Sequence, residues 1–266
     1  MTTRLLIVGF IISLSTLSCS SFNKVLKSTD YDYKLRMAEK YYAEKEYRKA
    51  KTLYEELFPI YKGTPQFEDL YYKYAYCHYY DKDYINAENL FKGYLEVFGN
   101  NAHSEEVEYM QAYSYYKQSY RAELDQTNTI KAMGMMQVFI NTHPGSPRNM
   151  EAEAIIQKCI EKLEKKEMLS AKLYYNLGQY RASALAYSTL LNNFPDSPQA
   201  DSYKLMIIKS YYKYAAMSIE VRQPERYEKV VKEVQDFQDR FPESKLLKDA
   251  ERYLTLSQNH IKDLSK

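Results

Sequence analysis

Small and aromatic residues recur along this chain at fixed offsets, and no other feature limits its possible folds so tightly. In residues 38–58, AEKYYAEKEYRKAKTLYEELF, Ala38, Tyr41 and Tyr42 mark one short amphipathic helix. Tyr47, Ala50, Tyr54 and Leu57 mark a second, with a polar turn between them. The three- and four-residue spacing of the apolar positions is helical. Ala38 and Ala50 stand where the two backbones approach most closely, because only a small side chain allows that approach. One such pair cannot bury its own apolar face and must stack on copies of itself. Ala75, His78, Tyr84, Ala87, Phe91 and Tyr94 repeat the offsets, and so do Ala171, Tyr174, Tyr180, Ser183, Tyr187 and Leu190.

The 266 residues allow one elongated array or two modest domains. Glycine (7) and proline (8) are scarce and no β-branched alternation is present, which predicts an all-α protein. The 37 basic and 35 acidic residues are interspersed rather than segregated, which argues against a nucleic-acid binder.

The N-terminus differs from the rest. Arg4 precedes an apolar run from Leu5 to Ile12, and small residues follow as far as Cys19. This predicts a signal peptide over residues 1–18, too short to span a bilayer. Leu17-Ser18-Cys19 resembles a bacterial lipobox, although Thr16 stands where leucine is preferred; an ordinary cleavable signal with an incidental cysteine is the alternative. If the lipobox holds, Cys19 becomes an acylated first residue, and more than one acyl chain gives stable anchoring. Residues 19–30 lack helical periodicity and are expected to be a lipid-anchored tether, with Ser28-Thr29-Asp30 supplying N-cap chemistry.

The array then divides into repeats one to three (31–147) and repeats four and five with a capping helix (148–266). Repeat one is expected to stop at Phe58-Pro59, where proline cannot continue a helix. In repeat three, Ala112 and Ala132 are twenty positions apart where the other pairs have twelve. The surplus around residues 119–129 is expected to be a helix extension or a loop. A charged helix from Met150 to about Met168 precedes repeat four. Stops at His143-Pro144-Gly145-Ser146, Phe194-Pro195-Asp196-Ser197 and Phe241-Pro242-Glu243-Ser244 share a form, in which the serine is expected to cap the next helix.

The offset pattern resembles the tetratricopeptide repeat (TPR). That resemblance implies a right-handed superhelical solenoid of about five helix pairs with a C-terminal capping helix. Together with the P-x-S stops, the enlarged third repeat and the lipobox, it resembles the BamD family, outer-membrane lipoproteins of the β-barrel assembly machine. The resemblance implies a non-enzymatic scaffold in the cell outer membrane, on its periplasmic face. Its partners would be the periplasmic domains of the barrel-bearing central subunit and unfolded outer-membrane protein precursors. Two rivals stay open: another periplasmic TPR scaffold of cell-wall or Tol type, and a nutrient-capture lipoprotein, which the absence of tryptophan disfavours.

Catalytic chemistry is not legible. His78, His103, His143 and His260 show no metal-ligand spacing, Cys77 and Cys159 are far apart in sequence, and no phosphate loop or G-x-S-x-G is present. Neither enzyme, metal nor cofactor is inferred. One constellation stands out: Tyr72, Tyr76 and Tyr79, and one repeat later Tyr109, Tyr113 and Tyr116, fall at i, i+4 and i+7. First helices line the concave groove of a TPR array, so this ladder is a candidate surface for extended, aromatic-rich peptides. The alternative is packing between repeats. The groove reading expects Tyr76 and Tyr113 to be more exposed than Tyr115.

Overall fold

The computed structural model describes residues 21–265, in which every regular element is a helix. Cys19 and the signal segment lie outside the described residues. The chain forms two compact units. One takes the residues up to Tyr120 with Gln126–Cys159, the other Arg121–Asp125 with everything from Ile160 on.

The first unit holds three helix pairs: α1 (Tyr31–Ala43) with α2 (Tyr47–Tyr61), α3 (Phe67–Tyr80) with α4 (Tyr84–Phe98), and α5 (Ser104–Gln118) with α6 (Thr127–Thr142). A long helix follows, α7 (Asn149–Asn176), of which the part up to Cys159 belongs to this unit. The second unit continues with α8 (Tyr180–Asn193), α9 (Ala200–Ala216), a 3-10 turn at Glu220–Arg222, α10 (Gln223–Arg240) and α11 (Leu247–Leu264). Within each unit consecutive helices pack on one another, and α7 meets α8 through the Ser183–Ala171 hydrogen bond, giving five TPR-type pairs and a terminal cap among the described residues.

Local chemistry sets the boundaries. Asp30 is the N-cap of α1, its carboxylate accepting the Tyr33 N–H at 2.8 Å. The turns inside the first, second and fourth pairs share one hydrogen bond. Glu46 N–H donates to Tyr41 O, Asp83 N–H to His78 O and Gln179 N–H to Tyr174 O, at 2.8–2.9 Å. That closure needs a left-handed residue, supplied by Lys45, Lys82 and Gly178 at φ 60°, 64° and 72°.

The small slots are where the helices cross. Ala38, Ala50, Ala75, Ala87, Ala112, Ala132, Ala171 and Ser183 are all buried. Ser183 Oγ donates to Ala171 O at 3.1 Å and touches Ser210 Oγ of the next pair at 3.1 Å. A polar atom at such a slot is tolerated because it is bonded. At Ala87, leucine would force two closely approaching helices apart. Ala87→Leu is expected to cost about 1–3 kcal/mol as overpacking, read as a lower denaturant midpoint; an unchanged midpoint would refute the register.

Four expectations need correction. α2 runs through Pro59 to Tyr61, because Tyr61 is buried and its hydroxyl donates to Asp32 Oδ1 at 2.7 Å, holding the last turn in place. Residues 21–26 are helical despite their weak periodicity, with Val25 buried and Phe22 edge-on to Tyr41 at 5.6 Å. The charged helix and the first helix of repeat four are one element, α7. Its Ala152, Ile155 and Cys159 join the core of the first unit, and Ala171 that of the second. The surplus in repeat three needs no correction: it takes one of its two expected forms, a loop between Gln118 and Thr127 that buries Ala122.

The fourth correction concerns the P-x-S serines. Each accepts the N–H two residues on: Ser146 from Arg148 (3.1 Å), Ser197 from Gln199 (3.0 Å) and Ser244 from Leu246 (3.0 Å). They therefore shape the approach to the helix rather than cap it. Each hydroxyl also donates to an acid on an earlier first helix: Ser146 to Glu105, Ser197 to Glu164, Ser244 to Asp201.

Candidate peptide-binding surface

The six tyrosines of the ladder lie on α3 and α5 and come together. Tyr72 and Tyr76 have ring centroids 4.8 Å apart, Tyr109 and Tyr113 5.7 Å, Tyr113 and Tyr116 5.8 Å. Tyr79 meets Tyr113 at 6.1 Å and joins the two sets. The band extends beyond them. Tyr79 also meets Tyr84 at 5.6 Å, while Tyr76 contacts Tyr80, which stacks on Tyr47 at 4.3 Å. Tyr47 in turn meets Tyr42 at 5.7 Å. Aromatic pairs at these distances reinforce one another beyond their buried area. Spacing on one helix revealed the six; Tyr42, Tyr47, Tyr80 and Tyr84 sit at pair ends, and only the stacking of helices brings them in.

The ladder is not uniformly open. Tyr76 and Tyr109 are buried, Tyr72, Tyr79, Tyr113 and Tyr116 half-buried, and Tyr80 exposed. Tyr76 thus lies deeper than half-buried Tyr115, the reverse of the groove expectation. Its ring packs on Phe91 of α4 at 5.2 Å, and its hydroxyl donates to Glu106 Oε1 at 2.7 Å. Tyr113 and Tyr115 are both half-buried.

Glu106 is the polar hub beneath the band. Besides Tyr76 it accepts from Tyr72 at 3.1 Å and pairs with Arg148 at 3.2 Å, whose guanidinium lies 5.1 Å over Tyr109. Burial pushes the Tyr72 phenol up to about 12 and raises Tyr76 as well. Both hydroxyls therefore remain donors at any physiological pH. At the rim, Lys117 lies 5.6 Å over Tyr84 and 5.9 Å over Tyr113. The surface offers π-faces, stems of tyrosine and a few hydroxyls, a composition suited to binding chains.

A second polar cluster braces the end of the band. Glu68 Oε1 accepts from Tyr94 and from Asn101 Nδ2 (3.1 Å), and meets His103 Nδ1 at 3.1 Å; His103 stacks on Tyr72 at 4.5 Å. Burial works to raise the Glu68 carboxyl, but the Tyr94, His103 and Asn101 hydrogen bonds hold it below its ordinary range. A lowered folded-state value contributes stability above the unfolded carboxylate pKa of about 4.3 and loses it as pH falls through the folded value. Glu68→Gln should therefore be less stable than the parent at pH 7, with the gap closing below pH ~4. A gap independent of pH would show that the carboxylate charge is not what the cluster uses.

His78 is buried beside Asp83, with Nδ1 2.8 Å from Oδ2, and His143 Nε2 pairs with Glu108 at 2.8 Å. These histidines brace turns, and among the described residues no three metal-ligating side chains converge. Cys77 and Cys159 are buried, and burial raises the Cys77 thiol to about 12, leaving it inert.

Helix pairs of this geometry, with an aromatic band crossing successive first helices, define a TPR-type array of the kind that binds polypeptide chains. Residues 32–221 match the YfiO family of outer membrane lipoproteins, and the chain belongs to that family. No curated protein matches it in sequence. Among solved structures it is similar to the TPR domain of P58(IPK), with 13% identity over 92% of this chain and 69% of that one, at a TM-score of 0.42. It is also similar to the TPR2AB-domain:pHSP90 complex of yeast Sti1, with 13% identity over 89% and 98% of the two chains and a TM-score of 0.38. Neither likeness bears on partners; the fold rests on the helix pairs themselves.

Proposed function

We propose that the protein is a non-enzymatic lipoprotein of the outer-membrane β-barrel assembly complex. Its first three pairs receive unfolded barrel precursors and its later pairs dock the barrel-bearing central subunit. Membership of the outer membrane lipoprotein family carries this reading. The continuous tyrosine band supports the precursor half of it, since transmembrane barrel strands are rich in interfacial aromatics and arrive extended. No described helix is long and apolar enough to cross a membrane, and acylation of Cys19 supplies the attachment in this reading. Intact-mass analysis of the mature N-terminus is expected to find lipid on Cys19. Cys19→Ala should leave an unprocessed or soluble form, and an unmodified N-terminus elsewhere would end this part of the reading.

Affinity purification in mild detergent tests the rest. A barrel protein with repeated periplasmic domains should co-purify, and precursor peptides should cross-link to a photoreactive group placed at Tyr80. Recovery of cell-wall or Tol-type components without any barrel protein would favour the other periplasmic scaffold.

A further inference from the structure

The turns inside the first two pairs are wholly charged: Glu44-Lys45-Glu46 and Asp81-Lys82-Asp83. The corresponding turns of the second unit carry exposed apolar residues, set beside Gln179 in one and Ser218 and Glu220 in the other. Leu177 is 63% exposed, Met217 72%, Ile219 73% and Val221 85%. The later of these turns is held in shape. Ser218 Oγ donates to Tyr214 O at 2.5 Å, Gln223 Nε2 donates to Ser218 O at 2.9 Å, and Arg226 reaches Ser218 Oγ. Its apolar side chains are therefore presented by an ordered segment.

Behind the turn lies a cleft of about 480 Å³ among α8, α9 and α10. Five cations line it, Arg181, Arg222, Arg226, Lys229 and Lys232, against two carboxylates, Glu225 and Glu228. Tyr214 and Tyr211 form its floor, with the Arg226 guanidinium 4.1 Å over the first ring and Lys229 5.6 Å over the second. Arg222 pairs with Glu225 at 3.3 Å and Lys229 with Glu233 at 2.7 Å. Arg181 and Lys232 form no ion pair among the described residues. In a chain whose formal net charge is only +2, this concentration of positive charge is local.

We propose that this edge of the second unit rests on a bilayer surface. Met217, Ile219 and Val221 enter the boundary between headgroups and acyl chains, and the cleft takes the phosphates of anionic phospholipids. Apolar side chains at a tip with cations and tyrosines directly behind them match the polarity profile of a membrane interface. Each cation near an anionic leaflet adds to the attraction. An acidic protein partner would satisfy the cations but leave three protruding apolar tips without a complementary face. The proposal rests on membership of an outer membrane lipoprotein family, which brings the chain to a bilayer, and not on the barrel-assembly reading.

The test uses the full chain carrying Val221→Cys, labelled with an environment-sensitive thiol dye, on vesicles of phosphatidylcholine with or without phosphatidylglycerol. The unsubstituted chain gives the background. Emission should move to the blue, and headgroup-depth quencher lipids should quench it, only when phosphatidylglycerol is present. The same dye at Lys82→Cys should report water throughout. Arg181→Glu with Lys232→Glu, at the two exposed cations that form no ion pair among the described residues, should abolish the shift with thermal unfolding unchanged. If that variant does not fold, Met217→Ser with Ile219→Ser, both at exposed positions, makes the same test. Flotation of protein with the vesicles reports the lipid anchor separately. A dye at 221 that stays aqueous on floated phosphatidylglycerol vesicles overturns the proposal. So does an equal shift without phosphatidylglycerol, or a shift produced by soluble acidic protein in the absence of vesicles.

Discussion

Tyr76→Ala is expected to lower the stability of the first unit by about 3–5 kcal/mol, the range for deleting a buried aromatic ring. Tyr113→Ala should cost much less and weaken peptide binding instead. Tyr76 is buried against Phe91, and its loss also removes one of the donors to Glu106. Tyr113 is half-buried, between Tyr79, Tyr109 and Tyr116 and beneath Lys117, so part of its side chain stays open to solvent. Aromatic side chains that act as binding hot spots cost about 2 kcal/mol or more on truncation. Denaturant unfolding and binding of a barrel-derived peptide, measured on both single variants, separate the two roles. Equal loss of stability at the two positions with peptide affinity intact would make the whole band interior packing.

Lys204→Ala should destabilise the second unit by about 3 kcal/mol, at the lower end of the range for breaking a buried ion pair. The Lys204 side chain is 4% exposed, and its ammonium meets Glu233 at 2.5 Å and Asp236 more closely still. After truncation Glu233 keeps Lys229 and Asp236 keeps Arg240, which is why the lower end applies. Lys204→Met combined with Glu233→Leu should recover much of the loss, because a buried pair can be replaced by apolar groups of similar volume. A Lys204→Ala chain that melts with the parent would show that the pair contributes nothing to the packing of α9 on α10.

The repeat itself was legible in the sequence because close helix crossings admit so few side chains. Ala50, Ala87 and Ala132 are fully buried for the geometric reason that singled them out. Depth within the ladder was not legible. Spacing along α3 shows that Tyr72, Tyr76 and Tyr79 share a face, but the burial of Tyr76 depends on Phe91 and Glu106, supplied by α4 and α5. Repeat length misled at α7. Residues 149–176 contain neither glycine nor proline, and local propensity carried one helix through the position where a second was expected to begin. In the same repeat Tyr174 occupies an expected core mark yet is exposed. Proline misled in the opposite sense at Pro59, where the last turn of α2 is fixed by the Tyr61–Asp32 contact. Lys45 and Lys82 hide their left-handed turns, since only the fourth pair advertises that geometry with a glycine.

Acids on the first helices carry a further consequence, for the order in which the chain becomes structured. Asp32 is bonded to Tyr61, Glu68 to Asn101, Glu105 to Ser146, Glu164 to Ser197 and Asp201 to Ser244, spans of 29, 33, 41, 33 and 43 residues. Every span closes on a residue at or beyond the end of its own pair. In every pair after the first, a chain emerging N-terminus first makes this bond only once the connection to the next helix has appeared. Stalling or truncation part-way through a pair leaves its leading carboxylate without that latch, so the newest pair stays frayed while earlier ones are already fastened. Fastening of the array is therefore expected to advance in chain order, one latch at a time.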